Sequence, residues 1–155
     1  MIMATQYIQN GNFSNDFEHW KAATGFEPDF KPHGDGQSIL LPVATVISQS
    51  LPDLPGKTLR IEFDAFSDNP HVDEAIFVVS VGGFNADGVA QVSPVSGIAT
   101  PDWQRFTVNM YFQENLSYCF LNVSTPRPAL SDSISTRTPS MSPVRFGDFS
   151  LLDAG

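Results

Sequence analysis

VISQSLPDLPGKTLRIEFDAF, residues 46–66, is the stretch on which the fold of this chain turns. Its middle, Pro52-Asp53-Leu54-Pro55-Gly56, is a turn with a physical cause, since proline fixes φ and glycine tolerates backbone conformations that other residues avoid. Beyond the turn Leu59, Ile61, Phe63 and Ala65 alternate with Arg60, Glu62, Asp64 and Phe66. A period of two sets one group against a core and the other on the opposite face. Before the turn Val46 and Ile47 lead into Ser48, Gln49, Ser50 and Leu51. The stretch therefore reads as strand, tight turn, strand, a hairpin-like unit of a two-layer β protein.

The same alternation recurs outward from this unit. Residues 102–112 place Phe106, Val108, Met110 and Phe112 on one side and Arg105, Thr107, Asn109 and Tyr111 on the other. Residues 116–124 oppose Cys119, Leu121 and Val123 to Tyr118, Phe120 and Asn122. Residues 74–81 form a strongly apolar, central strand, and 143–152 the last one. Residues 38–41 and 44–50 are strands parted by Pro42, and 5–9 and 88–92 are short ones. Residues 24–36, 67–73, 93–101 and the Ser/Thr/Pro-rich 125–142 read as loops, the last unusually long for a compact domain. About nine strands and no convincing helix predict an all-β chain, a two-sheet antiparallel β-sandwich best described as a jelly roll.

Composition agrees. The 155 residues suit one domain spanning 1–155, 41% are hydrophobic and 16% charged, and 13 Phe, 12 Pro and 11 Gly supply core aromatics and turn formers. A net charge of −9 repels phosphate backbones and anionic membrane surfaces, leaving neutral ligands, cations or protein partners. Cys119, the one cysteine, reads as a small buried hydrophobe, so no intrachain disulfide and no cysteine metal site are expected. The start, MIMATQYIQNGNF, lacks a basic segment followed by an apolar one. No membrane insertion is expected, and the chain reads as cytoplasmic, exported without an N-terminal signal, or cut from a larger secreted protein.

Four pieces in order resemble the carbohydrate-binding modules of the galactose-binding-like jelly-roll group, the set containing families four, nine and twenty-two. QNGNFSNDFEHW is similar to their opening Asn-Gly-x-Phe turn with a Trp soon after. Residues 47–66 resemble a Ser-Gln, a Pro/Gly turn and a Lys-Thr-led strand. TPDWQRFTVNMYF resembles a Trp backed by an apolar strand, and VRFGDFSLL a final strand with an Asp before an aliphatic pair. The resemblance implies the jelly roll and a non-catalytic sugar-binding role, with an oligo- or polysaccharide as partner. It also implies a structural Ca²⁺ held by the N-terminal turn at Asn12 and by Asp148, although Ser14 stands where the family commonly has an acidic residue. The alternative for Asp148 is a solvent-facing end of the sheet.

Sugar recognition needs flat aromatic faces for the C–H surfaces of a ring and polar groups for its hydroxyls. Two regions offer both. One is the outward side of the late strands, Arg105, Asn109, Tyr111, Tyr118 and Asn122, joined by Glu62 and Asp64 if their strand lies in the same sheet. The other is a loop rim with Phe26, Phe30, His33, His71, Phe84, Arg127 and Arg137. The plainer readings are a solvated sheet face and aromatics folded over a sandwich edge. Trp20 and Trp103 read as core or core rim. Catalysis has little support: His19, His33 and His71 are isolated, no Gly-x-Ser-x-Gly elbow occurs, and Asp73-Glu74 and Asp64/Asp68 border loops. The competing function is a protein-interaction or structural accessory module of a larger surface or toxin assembly on the same fold.

Overall fold

The computed structural model describes residues 5–67, 75–126 and 143–154. These hold ten strands: β1 Lys21–Ala22, β2 Phe30–His33, β3 Gly36–Leu41, β4 Val46–Leu51, β5 Thr58–Ser67, β6 Ala75–Phe84, β7 Ala90–Ala99, β8 Gln104–Tyr111, β9 Ser117–Ser124 and β10 Val144–Asp153. They form two five-stranded sheets, a first with order β1-β4-β9-β6-β7 and a second with order β2-β3-β10-β5-β8, every pairing antiparallel. The predicted jelly-roll sandwich is what the chain adopts. Among the described residues no helix is long and apolar enough to cross a membrane.

The decisive stretch is not a hairpin. β4 pairs with β9 in the first sheet and β5 with β10 and β8 in the second, so the Pro/Gly turn carries the chain across the sandwich. Ile47 and Leu51 then meet Leu59, Ile61 and Phe63 through the core, all buried, instead of lying beside them in one sheet. Three other expectations shift. Residues 5–9 make only an isolated bridge, Gln6 to Leu152. Residues 30–33 within the expected loop form β2. Residues 88–101, expected as a short strand and a loop, hold the ten-residue β7. β7 is an edge strand whose residues are exposed or half-buried except Ala99, which hides the apolar alternation, and Pro94 is tolerated there because an edge position spares its missing N–H.

Aromatic rings fill the space between the sheets. Phe63 lies 5.6 Å from Phe77, 5.4 Å from Phe106, 6.3 Å from Phe146 and 5.3 Å from Phe149, centroid to centroid. Phe13 and Trp20, from the N-terminal turns, close one end at 5.0 Å from each other. The indole N–H of Trp20 donates to the carbonyl of Asn10, so its burial strands no polar atom. Cys119 is buried, and burial pushes its thiol up, as its inert reading requires.

The N-terminal segment is tied to the last strand by charge as well as packing. The Tyr7 hydroxyl donates to Asp153 Oδ1 at 2.8 Å, and Lys57 Nζ stands 3.3 Å from the same carboxylate. Burial, then the hydrogen bond and charge of Asp153, push the Tyr7 phenol from about 10 up to about 12, while the Tyr7 bond foremost, with Lys57, holds the Asp153 carboxyl below its ordinary range. A group whose pKa rises on folding contributes stability that is complete below its unfolded pKa and is lost as pH climbs to the folded one. The urea midpoint should therefore fall between about pH 10 and pH 12 more steeply in the native chain than in Tyr7→Phe. Equal slopes in the two proteins would break the assignment.

Candidate functional site

The outward residues of β5 and β8 stand opposite one another across the second sheet. Thr58 pairs with Tyr111, Arg60 with Asn109, Glu62 with Thr107 and Asp64 with Arg105. Leu152, Ser150 and Gly147 of β10 continue the rows beside Arg60, Glu62 and Asp64. Paired positions share a face, so the period of two that buried Leu59, Ile61 and Phe63 also builds a ladder of polar side chains. The rungs are connected. Arg60 Nε donates to Asn109 Oδ1 at 3.4 Å, and the Thr107 hydroxyl donates to Glu62 at 3.1 Å. Arg105 donates to Asp64 Oδ1 at 3.2 Å and to both the carboxylate and the carbonyl of Asp148 at 3.0 Å.

Asp148 reaches Arg105 because β10 bulges. The register shifts between Gly147 and Ser150, and Asp148 takes a left-handed backbone with φ of 54°. The extra residue turns Asp148 outward and Phe149 into the core, the usual way a bulge re-aims a side chain. A second departure from flatness comes from Gly147. A Cβ there would sit 2.7 Å from His33 Cδ2, so only glycine leaves room for the His33 ring to lie on the sheet. His33 Nε2 is 2.8 Å from Asp64 Oδ2, and its ring stacks on Trp103 at a centroid distance of 4.1 Å. Trp103 also touches Phe66 at 4.4 Å.

Trp103 is 40% exposed and Tyr111 66%. Eight residues of strand separate them, roughly 26 Å at the usual rise. Between these rings lie fixed donors and acceptors. Half-exposed ion pairs contribute at most about 1 kcal/mol each, so the fold does not depend on them. What they do is hold Arg105 and His33 in one orientation.

Of the expected ligand residues, Arg105, Asn109 and Tyr111 share this face, with Glu62 and Asp64 confirmed in the same sheet. Tyr118 and Asn122 do not: β9 belongs to the first sheet, and both point outward on the far side of the sandwich. The late strands looked like one surface because each alternates alike, but residues 112–116 take the chain from one sheet to the other. Phe84 is exposed on that same far side. Phe30 faces inward, 6.0 Å from Phe13, and Phe26 rests 5.7 Å from Phe17, both packed on the core. Trp20 is core, as expected, whereas Trp103 stays 40% exposed while stacking on His33 and touching Phe66. His33 lies on the sheet face and not on a loop rim. Asp68, His71, Asp73, Glu74, Arg127 and Arg137 lie outside the described residues.

The oxygens of Asn12 and Asp148 have partners within the protein. Asn12 Oδ1 accepts from the Ser14 amide at 3.1 Å and the Asn12 carbonyl from Gln37 at 2.8 Å, while Asp148 faces Arg105. Calcium takes six to eight oxygens, and among the described residues no group of three or more His, Cys, Asp or Glu could hold a metal ion.

No protein-family model matches the chain, and no curated protein does. Solved structures do. The N-terminal CBM22-1–CBM22-2 tandem of Paenibacillus barcinonensis Xyn10C matches with a TM-score of 0.68 at 16% identity over 97% of this chain, which spans about half of it (51%). The xylan-binding CBM22-2 domain of the same protein gives 0.65 at 16% identity, covering 93% of this chain and 98% of that one. The enzymatically active domain of bacteriophage CBA120 tailspike protein 4 gives 0.61 at 14% identity, covering 95% of this chain and 21% of that one. At these identities the likeness is one of fold, the jelly-roll sandwich of carbohydrate-binding modules.

Proposed function

We propose that this chain is a non-catalytic carbohydrate-binding module that takes an elongated saccharide along the outer face of the second sheet. The observation that carries this is the in-register polar ladder of β5 and β8 lying between two exposed rings, Trp103 and Tyr111. Ring faces take the C–H surfaces of sugar units, and Arg60, Asn109, Glu62, Thr107 and Arg105 exchange hydrogen bonds with hydroxyls. Because Arg105 is already oriented by Asp64 and Asp148, little side-chain entropy is lost on binding. The fold it shares with a xylan-binding domain makes neutral plant polysaccharides the first class to try.

A panel of soluble polysaccharides, xylan included, titrated by calorimetry tests the proposal. Binding is expected for at least one neutral polysaccharide, abolished or weakened by Tyr111→Ala and untouched by Tyr118→Ala, with no release of reducing ends on long incubation. No binding at high protein concentration, or cleavage of the ligand, would overturn it. The second reading, an accessory module of a larger assembly, is favoured by the tailspike, in which the matching region is a fifth of a longer chain.

A further inference from the structure

His33 stands on β2, an edge of the second sheet, yet its ring reaches β5, three strands across. The outward row at this level runs Lys31 of β2, Ser38 of β3, Gly147 of β10, Asp64 of β5 and Arg105 of β8, each paired with the next. Gly147 is the one place in that row without a side chain. His33, two residues beyond Lys31, extends over it, where a Cβ would come within 2.7 Å of the ring carbon Cδ2. There Nε2 donates to Asp64 Oδ2 at 2.8 Å, since an ionised carboxylate can only accept. The same imidazole stacks on the Trp103 indole at 4.1 Å, with the two planes 27° apart.

We infer that His33 and Asp64 are positioning residues, two links of a strut that runs from Arg105 through Asp64 and His33 to Trp103 and sets the plane of the indole; the inference rests on the saccharide face proposed above. Partly exposed polar pairs add little to folding, so stability does not account for this chain of contacts. Trp103 is the loose member. It precedes β8, and Phe66 meets it from one side at 4.4 Å, tilted by 45°, which bounds the indole without fixing its plane. The nearly parallel imidazole fixes it. Asp64 in turn stops the imidazole from rotating. Arg105 holds Asp64 through Oδ1 at 3.2 Å and is itself tied to Asp148 at 3.0 Å. Both Asp64 oxygens thus accept from the protein, and the carboxylate acts through Trp103 and not on a sugar hydroxyl.

The consequence for binding is one of pre-organisation. Ordering one rotamer-rich side chain on binding lowers affinity about 2- to 12-fold. The strut removes most of that loss beforehand, so breaking it should weaken binding roughly five-fold, less than removing the ring itself. The geometry also names a substitution outside the strut that disables it. Gly147→Ala alters none of the four side chains. Gly147 lies in the ordinary negative-φ range, so the backbone accepts an alanine, but the new methyl must displace the His33 ring.

Time-resolved tryptophan anisotropy of the free protein reads the strut without a ligand. The chain has two tryptophans and Trp20 is buried, so Trp103→Phe supplies the Trp20 baseline. Native Trp103 is expected to turn with the whole molecule. In His33→Ala, Asp64→Ala and Gly147→Ala it should gain a fast component on the picosecond-to-nanosecond scale of unrestrained side chains. Calorimetry with the strongest polysaccharide ligand should show roughly five-fold weaker binding in His33→Ala and Gly147→Ala. Neither should weaken it further in a Trp103→Ala background, because both act through that ring. His33→Phe, which keeps a ring but not the tether, should recover part of the affinity. Melting midpoints show that each variant folds. Anisotropy unchanged in both His33→Ala and Gly147→Ala overturns the strut, whether or not any polysaccharide binds. Further loss in the Trp103→Ala background overturns the positioning role, since His33 would then touch the sugar itself. A fast component in the variants of a chain that binds no polysaccharide supports the strut and sinks only the saccharide reading, so the two fail separately.

Discussion

Phe63→Ala is expected to cost about 3–5 kcal/mol of folding stability. Phe63 has no exposure and its ring is in contact distance of four others, Phe77 from the first sheet and Phe106, Phe146 and Phe149 from the second. Truncation removes the transfer free energy of a whole ring and leaves a cavity between two hydrogen-bonded sheets, which cannot close without shifting registers set by β5, β8 and β10. Against a typical total of about 5–15 kcal/mol, the variant should be marginal at room temperature. Urea unfolding measures it through a lower midpoint at unchanged slope. Phe63→Leu, which keeps most of the volume, should lose less than half as much. An alanine variant within about 1 kcal/mol of the native chain would mean that this ring is not the junction of the two sheets.

Trp103→Ala should weaken polysaccharide binding about 30-fold, the equivalent of some 2 kcal/mol at a dominant aromatic contact. The ring is 40% exposed, yet it does not swing freely, because His33 stacks on one part of it at 4.1 Å and Phe66 meets it at 4.4 Å. A pre-set aromatic face loses little entropy on binding and offers a large flat area, so it should dominate over the polar rungs. Calorimetry with the strongest polysaccharide ligand reads the affinity, and a melting curve checks the fold. Trp103→Phe should recover most of the affinity, since a smaller flat face remains. Affinity unchanged in the alanine variant would remove Trp103 from the site and, with Tyr111→Ala also silent, would remove this face altogether.

Trp103 shows where sequence reasoning stopped short. A Trp one residue ahead of an amphipathic strand looks like a core anchor, and Trp20 is one. What separates them is the partner. Trp20 falls on Phe13 and Phe149 inside the core, whereas Trp103 falls on His33, a residue seventy positions earlier that reaches it across the bare backbone of Gly147. No local pattern signals that approach. The polar ladder was more legible: the alternation of residues 59–66 and 105–111 already named Glu62, Asp64, Arg105, Asn109 and Tyr111 as outward, and lacked only the pairing that joins them. Tyr118 and Asn122 were equally legible as outward and fell on the wrong side for the same missing reason.

The amino-acid sequence by itself determined the class of this protein and the inside or outside status of nearly every strand residue, because alternation is a property of a single strand and burial follows from it. The tertiary structure alone decided which strands share a sheet. Pairing depends on where each turn sends the chain, and a Pro/Gly turn of five residues serves a hairpin or a crossover equally well. That single choice, made at residues 52–57, separates β4 from β5, and with them the face that carries Tyr118 and Asn122 from the face that carries Arg105, Asp64 and Trp103.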